Sequence, residues 1–426
     1  MRRIAATLFS FETVFELFLF AGRYKEDPRF AWVPVDLTLL FLLLSVAAGT
    51  WVLYKRHFRF RVQTLQLMGL FGGFLLFCGS TYFWTPSVAY ALEKLGYLWV
   101  LTFWSFVACA LIISQSTQRL KRFFLVLMVF SSWVVAEALI AALSSEITGQ
   151  QVYALGTRYL GLGRVIGLGA AVVLMYAISI TRKRGLQFLL FGLFLSHIGM
   201  LLVIGGRGPL VATVLSLGIP VYYGLGVHLQ RGSITMRKYL RPMISIFALA
   251  VVAVIFLVPE GALTTIARLQ ILTSGDVGAS AGARVEMYSQ ALQIWSENPV
   301  WGAGIGSWPV LAGWGDQKMY PHNLVLEVLA EYGIAGLVLL VLPVVYAFWV
   351  FGKSQTPANN IFKMTVLVLL ANTFINAMLT GDLSDNRILF SMLGLLLYQG
   401  EHTESRIIIN KEQQVVESNT QKLGEA

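Results

Sequence analysis

The chain has 426 residues, of which 57% are hydrophobic and only 13% are charged. Soluble proteins carry about twice that share of charge, and charged side chains almost always face water. A soluble enzyme of this length is therefore excluded, as are a disordered chain, a collagen-like fibre and a disulfide scaffold. A membrane span takes roughly 20 apolar residues, so the apolar content suffices for about twelve. The net charge is +10, from 32 Lys and Arg against 22 Asp and Glu. In a membrane protein that excess is first a topology signal, not a sign of nucleic acid. Cys78 and Cys109 both lie inside apolar runs and read as small hydrophobes rather than as a disulfide.

In chain order, apolar segments lie at 4–20, 35–54, 64–79, 95–114, 123–143, 162–181, 186–205, 208–228, 242–258, 324–351, 362–379 and 388–400. The first follows Met1-Arg2-Arg3 but carries Glu12 and Glu16 and no small-residue cleavage site, so it reads as a membrane helix and not a signal peptide. Helices are expected throughout, because lipid offers no partners to backbone N–H and C=O groups. The connections alternate in charge. Lys55 to Arg61, Arg119 to Arg122, Arg182 to Arg184 and Arg231 to Arg241 are basic, the tail after residue 400 adds Arg406, Lys411 and Lys422 to that set, and the connections between them are less so. Basic loops stay in the cytoplasm. The expected fold is thus an all-α polytopic membrane protein of about twelve transmembrane helices with both termini cytoplasmic. Residues 1–258 hold helices one to nine and 259–321 form a large, partly helical outward loop. Residues 322–400 hold helices ten to twelve, and 401–426 form a cytoplasmic tail. Segment 388–400 is short for a span, and Glu93-Lys94 are expected at the outer interface.

Three polar features fall on the outward side. Gly205-Gly206-Arg207-Gly208-Pro209 places one arginine between two uncharged runs. A charge there is either functional or snorkels to lipid phosphate. Arg284 opens an amphipathic helix expected over 283–297, with Val285, Tyr288, Leu292 and Trp295 on one face and Asn298-Pro299 as its stop. Its guanidinium fork suits phosphate, or it is a solvated surface charge. Tyr320-Pro321-His322-Asn323 precedes the tenth segment, with Asn323 as helix cap and Glu327 and Glu331 one turn apart beyond it. His322 is suited to proton transfer near neutral pH, or it simply bonds a loop carbonyl. Gly302-Ala303-Gly304-Ile305-Gly306 lacks a P-loop lysine and reads as a tight turn. Asp382 and Asp385 either bind a cation or a sugar or simply solvate a turn. No His/Cys cluster has metal-ligand spacing.

These landmarks together resemble the O-antigen ligase and polymerase superfamily of bacterial envelope glycosyltransferases. The resemblance rests on Gly206-Arg207-Gly208-Pro209, on the run from Arg284 through Trp295, Pro299 and Gly302 to Gly306, and on Pro321-His322-Asn323 through Glu331, Gly333 and Gly336. It implies a glycan donor carried on undecaprenyl pyrophosphate, an active site facing the periplasm from the bacterial inner membrane, and no metal or nucleotide cofactor. In the ligase branch the acceptor is a sugar hydroxyl of lipid A–core. In the polymerase branch it is another lipid-linked repeat, and in a third branch a protein hydroxyl. The expected chemistry is direct displacement at the anomeric carbon, with His322 as base and Arg207 and Arg284 holding the pyrophosphate. Tyr320, Asn323 and Glu331 are candidates for orienting substrates. The rival from another class is a lipid-linked oligosaccharide transporter. It would place its polar residues near the bilayer midplane at internally repeated helices, and no such repeat is evident.

Overall fold

The structure is a computed structural model that describes residues 10–144, 151–179, 184–231, 265, 278–353 and 360–400. Segment 242–258 and the tail after residue 400 lie outside the described residues. Helices run over Phe11–Phe20 (α1), Leu37–Lys55 (α2), Val62–Ser80 (α3), Ala89–Ile113 (α4) and Thr117–Ser144 (α5). A two-stranded antiparallel hairpin, Tyr153–Ala154 (β1) and Thr157–Arg158 (β2), leads into Tyr159–Ser179 (α6), Arg184–Val203 (α7) and Arg207–Arg231 (α8). Then follow Gly278–Glu297 (α9), the short Ser307–Leu311 (α10), Leu324–Gly352 (α11), Ile361–Ala377 (α12) and Arg387–Leu395 (α13).

Seven of these helices (α2 to α7 and α11) are long and apolar enough to cross a membrane. The fold is therefore that of an all-α polytopic membrane protein. The twelfth expected span is represented by α13, a helix of nine residues.

Starts are set by short polar side chains. Asp36 Oδ1 accepts from the Thr38 and Leu39 amides to cap α2, and Asn323 and Asn360 cap α11 and α12 in the same way. Burial then sorts the helices. The apolar window of α6 is 89% buried, against 28% for α2. Helix α6 is central because its glycines admit its neighbours. A Cβ at Gly169 would lie 2.0 Å from Ser131 Oγ of α5, and one at Gly167 would lie 2.3 Å from Thr213 Oγ1 of α8. Helix α4 contains two π-helical stretches, Tyr97–Thr102 and Cys109–Ile113.

Two expectations for the 259–321 region change in detail. Helix α9 begins five residues earlier than expected and does end before Asn298-Pro299. Its buried stripe is Met287, Ala291 and Ile294, packed on Ala303, Trp308 and Ala330, whereas Val285 and Leu292 are exposed. The helical spacing is right, but the buried face is the one through Met287, Ala291 and Ile294, not the one through Val285 and Leu292.

Helix α11 is broken at Gly333, which has φ 64° and ψ −165°. The break frees backbone groups that residues 299–304 take up. Ala303 and Gly304 amides donate to the Ala330 and Glu331 carbonyls at 2.9 and 2.8 Å, and the Ile334 and Ala335 amides donate to Pro299 and Val300 at 2.9 and 3.0 Å. A Cβ at Gly302 would sit 2.3 Å from the Tyr332 amide, and one at Gly333 would sit 2.3 Å from the Val300 carbonyl. The Gly302–Gly306 turn is thus threaded into a discontinuous helix, which only glycine permits at these two contacts.

Candidate active site

One end of the helices encloses a chamber of about 1160 Å³. Its wall is drawn from the end of α1 and the following turn (Arg23), the starts of α2, α4 and α6 (Arg164), the β1–β2 hairpin (Arg158), residues 318–322, and the connection leading into α13 (Asp385, Arg387). His322 and Tyr320 open into it.

His322 adopts a left-handed backbone conformation (φ 60°) just before the Asn323 cap. Tyr320 meets its ring edge-on, with centroids 4.7 Å apart. Its buried Nδ1 has no hydrogen-bond partner among the described residues. Burial, followed by the positive charges of Arg284 and Arg164, pulls its pKa down to about 4. The imidazole is therefore uncharged at neutral pH and holds a free lone pair.

Three guanidiniums that the sequence reading passed over share this chamber. Arg164 donates to the Thr380 carbonyl and, at 3.4 Å, to that of Asn376, while its buried Nε has no partner among the described residues. Arg387 Nε donates to the Leu19 carbonyl at 3.1 Å, and its guanidinium stands over the Phe18 ring. Arg23 lies within electrostatic range of both. The carboxylate in range of all three is Asp385, which Lys318 already engages at 2.7 Å. Burial lowers the pKa of Arg23, and Asp385 only partly offsets it. Such a cluster has a positive potential that an anionic ligand would relieve.

Beneath His322 the charges are paired. Lys94, expected at an interface, is instead fully buried, and its ammonium contacts Glu327 at 2.5 Å and Glu331 at 2.7 Å. Glu327 also accepts the Leu383 amide at 3.0 Å. Asp382 does not solvate a turn. It is buried and accepts from Tyr90, Ser384 and the Asp385 amide. Asp316 accepts from Ser87 Oγ and from the amides of Val88, Ala89 and Tyr90, and these hydrogen bonds, led by that of Ser87, bring its pKa down to about 2.

The remaining candidates are placed as follows. Arg284 lies on the inward face of α9, half-buried and close enough to perturb His322. Arg207 is the first residue of α8, half-buried and outside the chamber wall. Asn323 spends its side-chain oxygen on the α11 cap, and Glu331 spends its own on Lys94. The signal for Arg164 was present: it is a lone charge at the start of an apolar segment, the same argument that singled out Arg207. Arg23 and Arg387 stand among acidic and polar neighbours and look like loop charges.

Fold and site define a polytopic membrane protein with a cationic, histidine-bearing chamber at one end of its helices. Residues 152–341 match the family model for O-antigen ligase, a stretch that includes Arg164, Arg207, Arg284 and His322. Over that stretch the chain is similar to the O-antigen ligase family, whose members are glycosyltransferase-like enzymes. No curated protein matches the sequence.

Proposed function

We propose that the protein is an O-antigen ligase. It transfers a glycan from undecaprenyl pyrophosphate to a sugar hydroxyl of lipid A–core on the periplasmic face of the inner membrane. The observation that carries this reading is the neutral imidazole of His322 opening into a chamber walled by arginines. The acceptor oxygen bonds to the anomeric carbon as the bond from that carbon to the pyrophosphate oxygen breaks, and the electron pair leaves on the phosphate. His322 takes the hydroxyl proton. Arg23, Arg164 and Arg387, with Arg284 close to His322, stabilise the charge that grows on the leaving group.

The electrostatics couple binding to chemistry. Burial first, and then Arg284 and Arg164, weaken His322 as a base. A pyrophosphate beside those cations cancels their field and raises the imidazole pKa towards its ordinary value, so the base gains strength when the donor is in place.

The test is the lipopolysaccharide of a deletion strain complemented with wild type or His322→Ala at equal protein level. A ligase leaves long lipid-linked polymer and bare core in the deletion and in His322→Ala. Full-length capping by the variant overturns the role of His322, and core capped by a single repeat in the deletion overturns the ligase reading in favour of a polymerase.

A further inference from the structure

The far end of the helices holds a second cavity, of about 190 Å³. Helix α4 starts at the chamber and ends here. The wall is made by Arg61 before α3, by residues 114–118 between α4 and α5, and by residues 398–400 beyond α13. Hydrogen bonds hold these remote segments in place. Thr117 Oγ1 and Tyr398 Oη are bonded at 2.8 Å. Gln115 Nε2 donates to the Ala110 carbonyl at 2.8 Å, to Ser114 Oγ at 3.0 Å and to Thr64 Oγ1 of α3 at 3.4 Å. The turn is thus tied to α3 on one side and to the end of the described chain on the other, with a space left between them.

The lining carries charge of one sign. Arg61 is its cation, and no carboxylate belongs to it among the described residues. Two long helices begin at this cavity, α3 at Val62 and α5 at Thr117. First-turn amides have no acceptor within their own helix and form the positive end of its dipole. Arg61, the N-cap of α3, offers those amides no side-chain acceptor. Ser116 and Gln118 make no side-chain hydrogen bond among the described residues, so both have donors to spare. A guanidinium, a hydroxyl, a carboxamide and two sets of amides are donors in excess. They match an oxyanion with several acceptor atoms and not a cation. Lys55, His57 and Arg59 are exposed on the connection that leads to Arg61 and add to the attraction.

We infer that this cavity binds a phosphate group, at a site separate from the transfer chemistry at the opposite end. The phosphate belongs either to the headgroup of an anionic phospholipid or to free phosphate. The lipid has the better fit, because the exposed Val62 and Leu65 continue from Arg61 along α3 and give acyl chains an apolar strip to follow.

A titration followed by melting temperature tests this on the full chain, delipidated in dodecyl maltoside. Dioctanoyl phosphatidylglycerol and inorganic phosphate are the probes. Dioctanoylglycerol, which lacks the phosphate, and sodium chloride at matched ionic strength are the controls. The expected result is a saturable rise with a probe and none with the controls. In Arg61→Gln the apparent Kd should weaken about tenfold, the size of one charge-assisted contact. Ser116→Asp is the second variant. The Ser116 carbonyl accepts the first amide bond of α5, from Leu120, and aspartate caps a helix as well as serine does. Its ligand-free melting temperature should therefore hold, while its carboxylate repels the anion and abolishes the saturable rise. A tighter Kd for phosphatidylglycerol than for phosphate assigns the site to a lipid headgroup, and the reverse order assigns it to free phosphate. No saturable rise with either probe, or a rise undiminished in Ser116→Asp, overturns the phosphate site.

Discussion

The two sides of His322 differ in how charge is handled. Behind it, every charge is engaged: Lys94 grips two carboxylates, Asp382 takes three donors, and Asp316 caps the start of α4. In front of it, Arg23, Arg164 and Arg387 share one carboxylate that Lys318 already holds. Paired buried charges fix geometry, whereas under-compensated ones at a cavity wall are available to a ligand. The difference separates scaffold from working surface within a single cluster of ionisable residues.

The sharpest way to break this comparison is on the paired side. Lys94→Met leaves Glu327 and Glu331 buried without a cation and should cost about 3–5 kcal/mol, read as loss of folded protein in detergent. Adding Glu327→Gln and Glu331→Gln should recover much of that loss. A well-folded single variant would mean that the network is not a scaffold. Next, His322→Ala should lower transfer by about 10²–10⁴-fold with thermal stability unchanged, since its ring holds no structural hydrogen bond at Nδ1. Arg23→Gln should follow with roughly a tenfold to hundredfold loss of kcat/KM, the size of one charge-assisted contact, again without a change in melting temperature. If Arg23→Gln instead destabilises the fold while sparing transfer, the division between the two sides fails.

The smallest effect is a pH profile. A base must be unprotonated, so kcat/KM should be level through neutrality and fall only as pH drops through the free-enzyme pKa of about 4. Arg284 is one of the causes that hold that value down. Arg284→Gln should therefore move the fall to higher pH, by about one unit or less, apart from any loss of rate. An acid limb that stays in place would show that Arg284 does not act on His322.

Part of the candidate site was legible as charge in the wrong place. His322, Arg207 and Arg284 stood out because long apolar runs, and an expected topology that keeps basic loops on the other side, make such cations conspicuous. Arg23 and Arg387 did not, because one lies among Tyr24, Lys25 and Glu26 and the other follows Asp385 and Asn386, where a charge looks merely solvated. Lys94 was misplaced for a related reason. Its partners lie 233 and 237 residues away, and no local pattern announces a contact at that separation. The Gly302–Gly306 turn was legible as a turn, but its insertion into the Gly333 break depends on a second segment that a one-dimensional reading sees as continuous helix.

The Arg387 contact with Leu19 joins residues 368 positions apart, and the chamber wall draws on both. A wall assembled from the first and last described helices cannot exist while the chain is still being threaded into the membrane. On the ligase reading, the nascent protein would remain inert towards the lipid-linked glycans around it. Transfer would then begin only once insertion has brought the final helix back beside the first.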